Sequence, residues 1–304
     1  MFKLYSGYFK NGKGNHWITL LYFLIVSAII TPFAFIPYIG YLFDKQSSIR
    51  QLDVDKQPLN ETFNSFNEPS SFGILFFIIV NIFIIIPLIL GILHIFKNTD
   101  LGMRPKFKDL FIIFKKGAYF KTMKLSILMI IIVCFFYFLL AIIIFIIMLI
   151  VFILAWYFAF YLESLNNAIS MLFVVFPILF FITSFIISVP FYYVVIFMIN
   201  TSLVHIDQHS LPTLTKVSIG RKITKKGPRN PWVLLISHYL FGILICGVIF
   251  TIYIDIMMNH NIFTYIIKFI ILGGLFYFIF GSYVNFYHQN KNAIYPTETP
   301  ATDE

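Results

Sequence analysis

Leu125 to Leu162 reads LSILMIIIVCFFYFLLAIIIFIIMLIVFILAWYFAFYL, 38 residues without one charge. As a helix rising about 1.5 Å per residue it is roughly 55 Å long. No small water-soluble core can cover it. The hydrocarbon core of a bilayer, about 30 Å thick, takes about 20 apolar residues per crossing. Membrane is therefore the solvent this stretch calls for. The whole chain agrees: of 304 residues, 60% are hydrophobic, 20% aromatic and only 12% charged. That length leaves room for one membrane domain, over residues 1–286, and none for a separate soluble catalytic domain. The expected class is an all-α polytopic helical bundle.

Six transmembrane helices fit, near 17–43, 73–96, 125–161, 169–200, 232–254 and 262–286. Lys3, Lys10 and Lys13 precede the first apolar run, which is too long for the core of a cleavable signal. The loop charges alternate. Lys97, Arg104, Lys106, Lys108, Lys115, Lys116, Lys121 and Lys124 lie between the second and third helices. Lys216, Arg221, Lys222, Lys225, Lys226 and Arg229 lie between the fourth and fifth. The third and fifth loops carry no Lys or Arg, and the first is rich in Asp and Glu. By the positive-inside rule both termini are cytoplasmic. An even number of crossings must separate the two basic loops, and two long helices satisfy that. The tail from 287 to 304, ending YPTETPATDE, reads as disordered.

A threefold pattern runs through the chain. Lys13-Gly14, Lys116-Gly117 and Lys226-Gly227 each stand just before an apolar helix, and aromatic residues follow. This suggests three units, each a basic interfacial segment followed by a helical hairpin. Two of those segments are amphipathic. Phe107, Leu110, Phe111, Phe114 and Ala118 form a stripe flanked by Lys106, Lys108, Lys115 and Lys116. From Leu211 to Lys226, Leu214, Val217 and Ile223 oppose Lys216, Arg221, Lys222 and Lys225, with Ser210 placed to cap and Lys226 at the end. Such elements lie on the inner leaflet and hold anionic lipid or a protein partner.

Polar residues at membrane depth are the candidates for chemistry. His94, His205, Asp207 and His238 fall at similar depth, and imidazoles with a carboxylate can ligate zinc or iron. No HExxH pair accompanies them. Asn81 and Asn200 are placed to bond across helices. Cys134 and Cys246 read as small buried hydrophobes, and the Gly273-Gly274 pair as a close helix crossing. Lys268 can snorkel or pair with Asp255. No phosphate-binding loop, nucleophile elbow or dinucleotide fingerprint is present. The net charge of +9 is explained by orientation in the membrane, so no nucleic-acid partner and no cofactor is called for.

Two segments carry a family resemblance. One is Phe107-Lys-Asp-Leu-Phe-Ile-Ile-Phe-Lys-Lys-Gly117, running into an apolar helix. The other is Leu203-Val-His-Ile-Asp207, followed by Ser218, Lys222 and Lys225–Gly227. Together they resemble the bacterial multi-pass proteins of the YciC-like type, and the membrane domain attached to some glycerophosphodiester phosphodiesterases. The resemblance implies an inner-membrane location and brings no catalytic residue with it. The expected function is that of a non-enzymatic scaffold, accessory or lipid-facing protein. A transporter of a small or lipid-like solute is the alternative, and a membrane-embedded metal enzyme a second one.

Overall fold

The computed structural model describes residues 2–35, 71–115, 117–161, 188–257 and 262–295. Among them the secondary structure is all helical. The elements in chain order are α1 (Phe2–Asn11), α2 (His16–Ile30) ending in a 3-10 turn (Thr31–Phe35), α3 (Ser71–Val80), a π turn (Asn81–Ile85) and α4 (Ile86–Asp100). A 3-10 helix (Phe107–Phe114), α5 (Ala118–Tyr161), α6 (Ser188–Asp207), α7 (Thr213–Lys226), α8 (Pro231–Met257) and α9 (Ile262–Ile294) follow. Among the described residues six helical segments are long and apolar enough to cross a membrane: His16–Phe33, Gly73–Asp100, Ala118–Ile150, Ser188–Asp207, Pro231–Ile252 and Phe263–Ile294. The far end of the expected first helix (36–43), the start of the fourth (169–187), Lys116 and residues 296–304 lie outside the described residues.

The chain divides into a larger unit, Met1–Ser126 with Asn200–Glu304, and a smaller one, Ile127–Ile199. In the smaller unit apolar side chains such as Phe135, Phe145, Phe152 and Trp156 are exposed, and Cys134 with them. Cys246 in the larger unit is exposed as well. The expected burial of both thiols is thus corrected: on a helix that is apolar all round, an outward position needs no polar residue.

Helix α9 organises the larger unit, packing against α1, α2, α4, α7 and α8. Small residues allow it. A Cβ on Gly281 would sit 2.6 Å from the Tyr8 ring, and one on Gly273 would sit 2.3 Å from Leu24. Gly274 meets nothing within 4 Å, so only half of that pair marks a crossing. The helix runs to Ile294, eight residues past the expected end at Phe286. Tyr287 and Asn290 in that extension are fully buried. The stretch is polar because it binds polar partners.

Prolines and asparagines are settled locally. Pro87 has no N–H, so no residue at i+4 can donate to the carbonyl of Phe83. The Tyr119 hydroxyl, from the start of α5, donates to it instead at 3.0 Å. Asn81 donates to Phe77 O within its own helix at 2.8 Å, not to a neighbouring one. Asn200 does bond across helices, to the Thr224 hydroxyl of α7 at 2.8 Å. Lys268 donates to Thr251 O at 3.1 Å.

The threefold pattern has a structural counterpart. A short helical element precedes each of α2, α5 and α8; Lys13-Gly14 lies between α1 and α2, whereas Lys226 is the last residue of α7 and only Gly227 of that pair lies beyond it. Gly14 and Gly117 both have φ of +90°, the left-handed region that glycine enters without strain. Gly227 instead takes φ −70°, and a Cβ there would lie 2.1 Å from Asn290.

Candidate functional site: the basic end of the larger unit

The 3-10 helix docks on α4 through Gly91, where a Cβ would stand 2.0 Å from Leu110 O. Its start is fixed by Asp109, whose carboxylate accepts from the backbone N–H of Lys106 at 3.0 Å and from Asn98 at 3.4 Å. Leu110 and Ile113 face the protein and are buried. The aromatic residues do not: Phe107 is 49% exposed, Phe111 45% and Phe114 37%. A 3-10 helix repeats every three residues, so 110 and 113 share a face while 111 and 114 turn outward. The expected single α-helical stripe is therefore split. Lys106, Lys108 and Lys115 are exposed beside the outward rings.

Helix α7 is held against α6 in the same close manner, since a Cβ on Gly220 would be 2.8 Å from the Thr201 Cα. It begins at Thr213 after Pro212, with no side-chain cap from Ser210. Arg221, Lys222, Lys225 and Lys226 are exposed. Two positions reverse the sequence expectation: Leu214 points outward and Lys216 is buried, 1% exposed. Lys216 Nζ donates to His205 Nδ1 at 2.9 Å and to His209 O at 3.1 Å. Buried acceptors on and just past α6 draw the ammonium in, and it leaves the exposed basic face.

The ends of α4, α6 and α9 meet through two carboxylates. A Schellman turn closes α4, with Gly102 N–H on Thr99 O and Met103 N–H on Asn98 O, both at 2.9 Å. It leaves Asp100 on the last helical residue. Asp100 Oδ1 accepts from Asn285 at 2.9 Å and Asn11 at 3.3 Å, and its Oδ2 accepts from His288 Nδ1 at 2.5 Å. Asp207, at the end of α6, pairs with Lys97 and with Lys291, and accepts from the Tyr287 hydroxyl at 2.7 Å. Its sequence position marked Asp207 as a candidate. Asp100, His288 and Lys291 went unmarked.

Behind this layer runs a phenol–imidazole chain. His16 Nε2 meets Phe9 O at 3.0 Å, so that nitrogen carries the proton and donates. His16 Nδ1 then accepts from the Tyr277 hydroxyl at 2.8 Å, and Tyr277 receives the Tyr8 hydroxyl at 3.4 Å. Burial, and then the neighbouring Tyr277, hold the Tyr8 phenol well above its usual range.

The four candidate metal ligands are not brought together. His94 meets Asn98 at 3.3 Å, His205 meets Thr122 and Lys216 at 2.9 Å each, and His238 meets Ser282 at 3.0 Å. Asp207 is taken by two lysines and a tyrosine. Among the described residues no three His, Cys, Asp or Glu side chains converge on one point. No protein-family model, curated protein or solved structure matches the chain.

Proposed function

We propose that this is a multi-pass protein of a bacterial inner membrane, with cytoplasmic termini, acting without catalysis as a lipid-facing scaffold or accessory protein. The observation that carries the reading is the orientation of the 3-10 helix. It folds onto the protein through Leu110 and Ile113 and leaves Phe107, Phe111 and Phe114 outward. Phe107 meets the Tyr22 ring and Phe114 stacks on Tyr119, yet all three rings keep over a third of their surface exposed, and beside Lys106, Lys108 and Lys115 they have the make-up of an interfacial anchor. Exposed Arg221, Lys222, Lys225 and Lys226 on α7 extend the basic rim. Near the surface of an anionic leaflet each such charge contributes about 1 kcal/mol. The YciC-like resemblance belongs to the same proposal.

The surroundings of Asn81 favour a scaffold over a transporter. Its amide nitrogen donates within its own helix. Val80 and Ile85 beside it pack with Ile30, Phe33, Phe77 and Ile89 in an apolar cluster.

The test is native mass spectrometry and elemental analysis of the gently purified protein. Enrichment of phosphatidylglycerol over phosphatidylcholine among bound lipids is expected. It should fall on neutralising Lys106, Lys108, Lys115, Arg221, Lys222, Lys225 and Lys226 to Gln, and at high salt. Equal retention of both lipids, or stoichiometric zinc or iron, sinks the proposal.

A further inference from the structure

Asp100 and Asp207 stand on the wall of an open cavity of about 610 Å³ at the basic end. That volume falls within the range of small-molecule sites, roughly 300–1,000 Å³, but the lining is unlike an ordinary apolar pocket. Leu101 is the one apolar side chain among Lys97, Asp100, Asp207, His288, Lys291 and the Asn and Gln residues that complete the wall.

We propose that this cavity binds a phosphate-bearing polar group, held by the ammonium groups of Lys97 and Lys291 and by the His288 ring. The site is separate from the basic rim.

The two lysines reach the same carboxylate from different elements, Lys97 from α4 and Lys291 from α9. Together they set two positive charges against the single negative charge of Asp207. Each ammonium has three N–H donors. Asp207 takes one from each, leaving donors on both for a ligand. The lysines are already immobilised, so a ligand does not bear the entropy of ordering them.

Asp100 adds a second carboxylate to the wall, so the case for an anion rests on the unused ammonium donors, while Asp100 has no oxygen free to hold a cation. Its oxygens are engaged by Asn11, Asn285 and His288. The contact that occupies Asp100 Oδ2 also fixes the imidazole, because His288 Nδ1 must donate to the carboxylate. Nε2 is the ring nitrogen left for a ligand, and in this tautomer it accepts, from a hydroxyl of the ligand. His288 and Lys291, at i and i+3 on α9, share a face. Two ammonium donors and one imidazole acceptor, from two helices, suit a ligand with several phosphate oxygens and a hydroxyl, and lysine binds phosphate as a point charge. The charged and amide groups on the wall favour a polar ligand. A phospholipid headgroup and a soluble phosphate ester share this chemistry.

The experiment uses the full chain in phosphatidylcholine nanodiscs. Glycerol 3-phosphate is titrated by calorimetry, and phosphatidylglycerol is scored by native mass spectrometry as a one-to-one adduct. Saturable one-to-one binding is expected in at least one arm, and the arm that responds names the source. Lys97→Gln and Lys291→Gln should each weaken it about tenfold, a loss of one strong charged contact. Gln208→Glu and Asn292→Asp place a carboxylate at exposed positions on the cavity wall. They should weaken binding without disturbing the Asp207 contacts, which keeps the test valid if a lysine variant fails to fold. Lys124→Gln, at an exposed position on α5 outside both the cavity wall and the rim, should leave it unchanged. Absence of one-to-one binding in both arms overturns the proposal. So does binding that survives both Lys291→Gln and Asn292→Asp.

Discussion

Lys216 Nζ lies 2.9 Å from His205 Nδ1, and that contact sets the protonation of the ring. An ammonium can only donate, so Nδ1 is a bare acceptor and Nε2 carries the hydrogen. Nε2 then donates to the Thr122 hydroxyl at 2.9 Å, and Thr122 passes its own proton to Ala118 O at 2.9 Å. One buried lysine thereby ties α7 to α6 and, through the ring, to α5.

Lys216→Met should destabilise the protein by about 1–3 kcal/mol, the usual result of leaving a buried acceptor unsatisfied. In a double variant with His205→Phe the losses should fall short of their sum, because both act on one bond. Thermal unfolding in detergent measures this. Full additivity would mean that the contact contributes nothing.

The same cluster makes stability depend on pH. Burial, then Lys216 and then Lys97, hold the His209 imidazole below its usual range. Below about 6.5, its ordinary value, the unfolded chain therefore binds a proton that the folded one resists. Stability should fall as pH drops through that window, and His209→Asn should flatten the fall. Burial, then Lys121, lower Lys216 also. Stability should accordingly rise with pH from its depressed value towards about 10.4, and Lys216→Met should remove that rise. Midpoints against pH for the three proteins decide it.

Tyr119 supplies the donor that Pro87 cannot. Tyr119→Phe should cost about 1 kcal/mol, one net hydrogen bond. In a Pro87→Ala background, where a backbone N–H returns at that position, the same change should cost measurably less. Equal losses in both backgrounds would show that the hydroxyl serves some other role.

Gly91 lets the 3-10 helix lie directly on α4. Gly91→Ala would drive a methyl into the backbone of Leu110, where no side chain can give way. Overpacking of this kind costs about 1–3 kcal/mol or more. The expected sign is faster tryptic cleavage at Lys106, Lys108 and Lys115. Gly247→Ala is the control, since nothing lies within 4 Å of its Cβ position.

The helical architecture was legible because hydropathy over 18 or more residues is a strong, local signal. The starts of the last two helices fell within a residue of expectation, at Pro231 and Ile262. Helix α1 was missed, since in a chain this apolar ten mixed residues look like a flank. The carboxylate layer was harder. Asp100 and His288 are 188 positions apart, and each alone is an ordinary loop or tail residue. The polar run from Asn285 to Lys291 was the available signal. Its i, i+3 and i+4 spacing is helical, but low hydropathy made it look like a disordered tail. Lys216 was misplaced because helical periodicity sorts residues by polarity. It cannot see that a buried histidine on α6 waits for a donor.

The most direct test of the central claim is the depth of the 3-10 helix in a bilayer. With Cys134 and Cys246 replaced by Ser, a spin label at Phe111→Cys in phosphatidylglycerol-containing nanodiscs reports its solvent by power saturation. A ring set in the membrane interface, about 5–10 Å below the headgroup boundary, predicts relaxation by oxygen and protection from a water-soluble nickel chelate. Relaxation dominated by nickel would put the aromatic face in water and contradict the account.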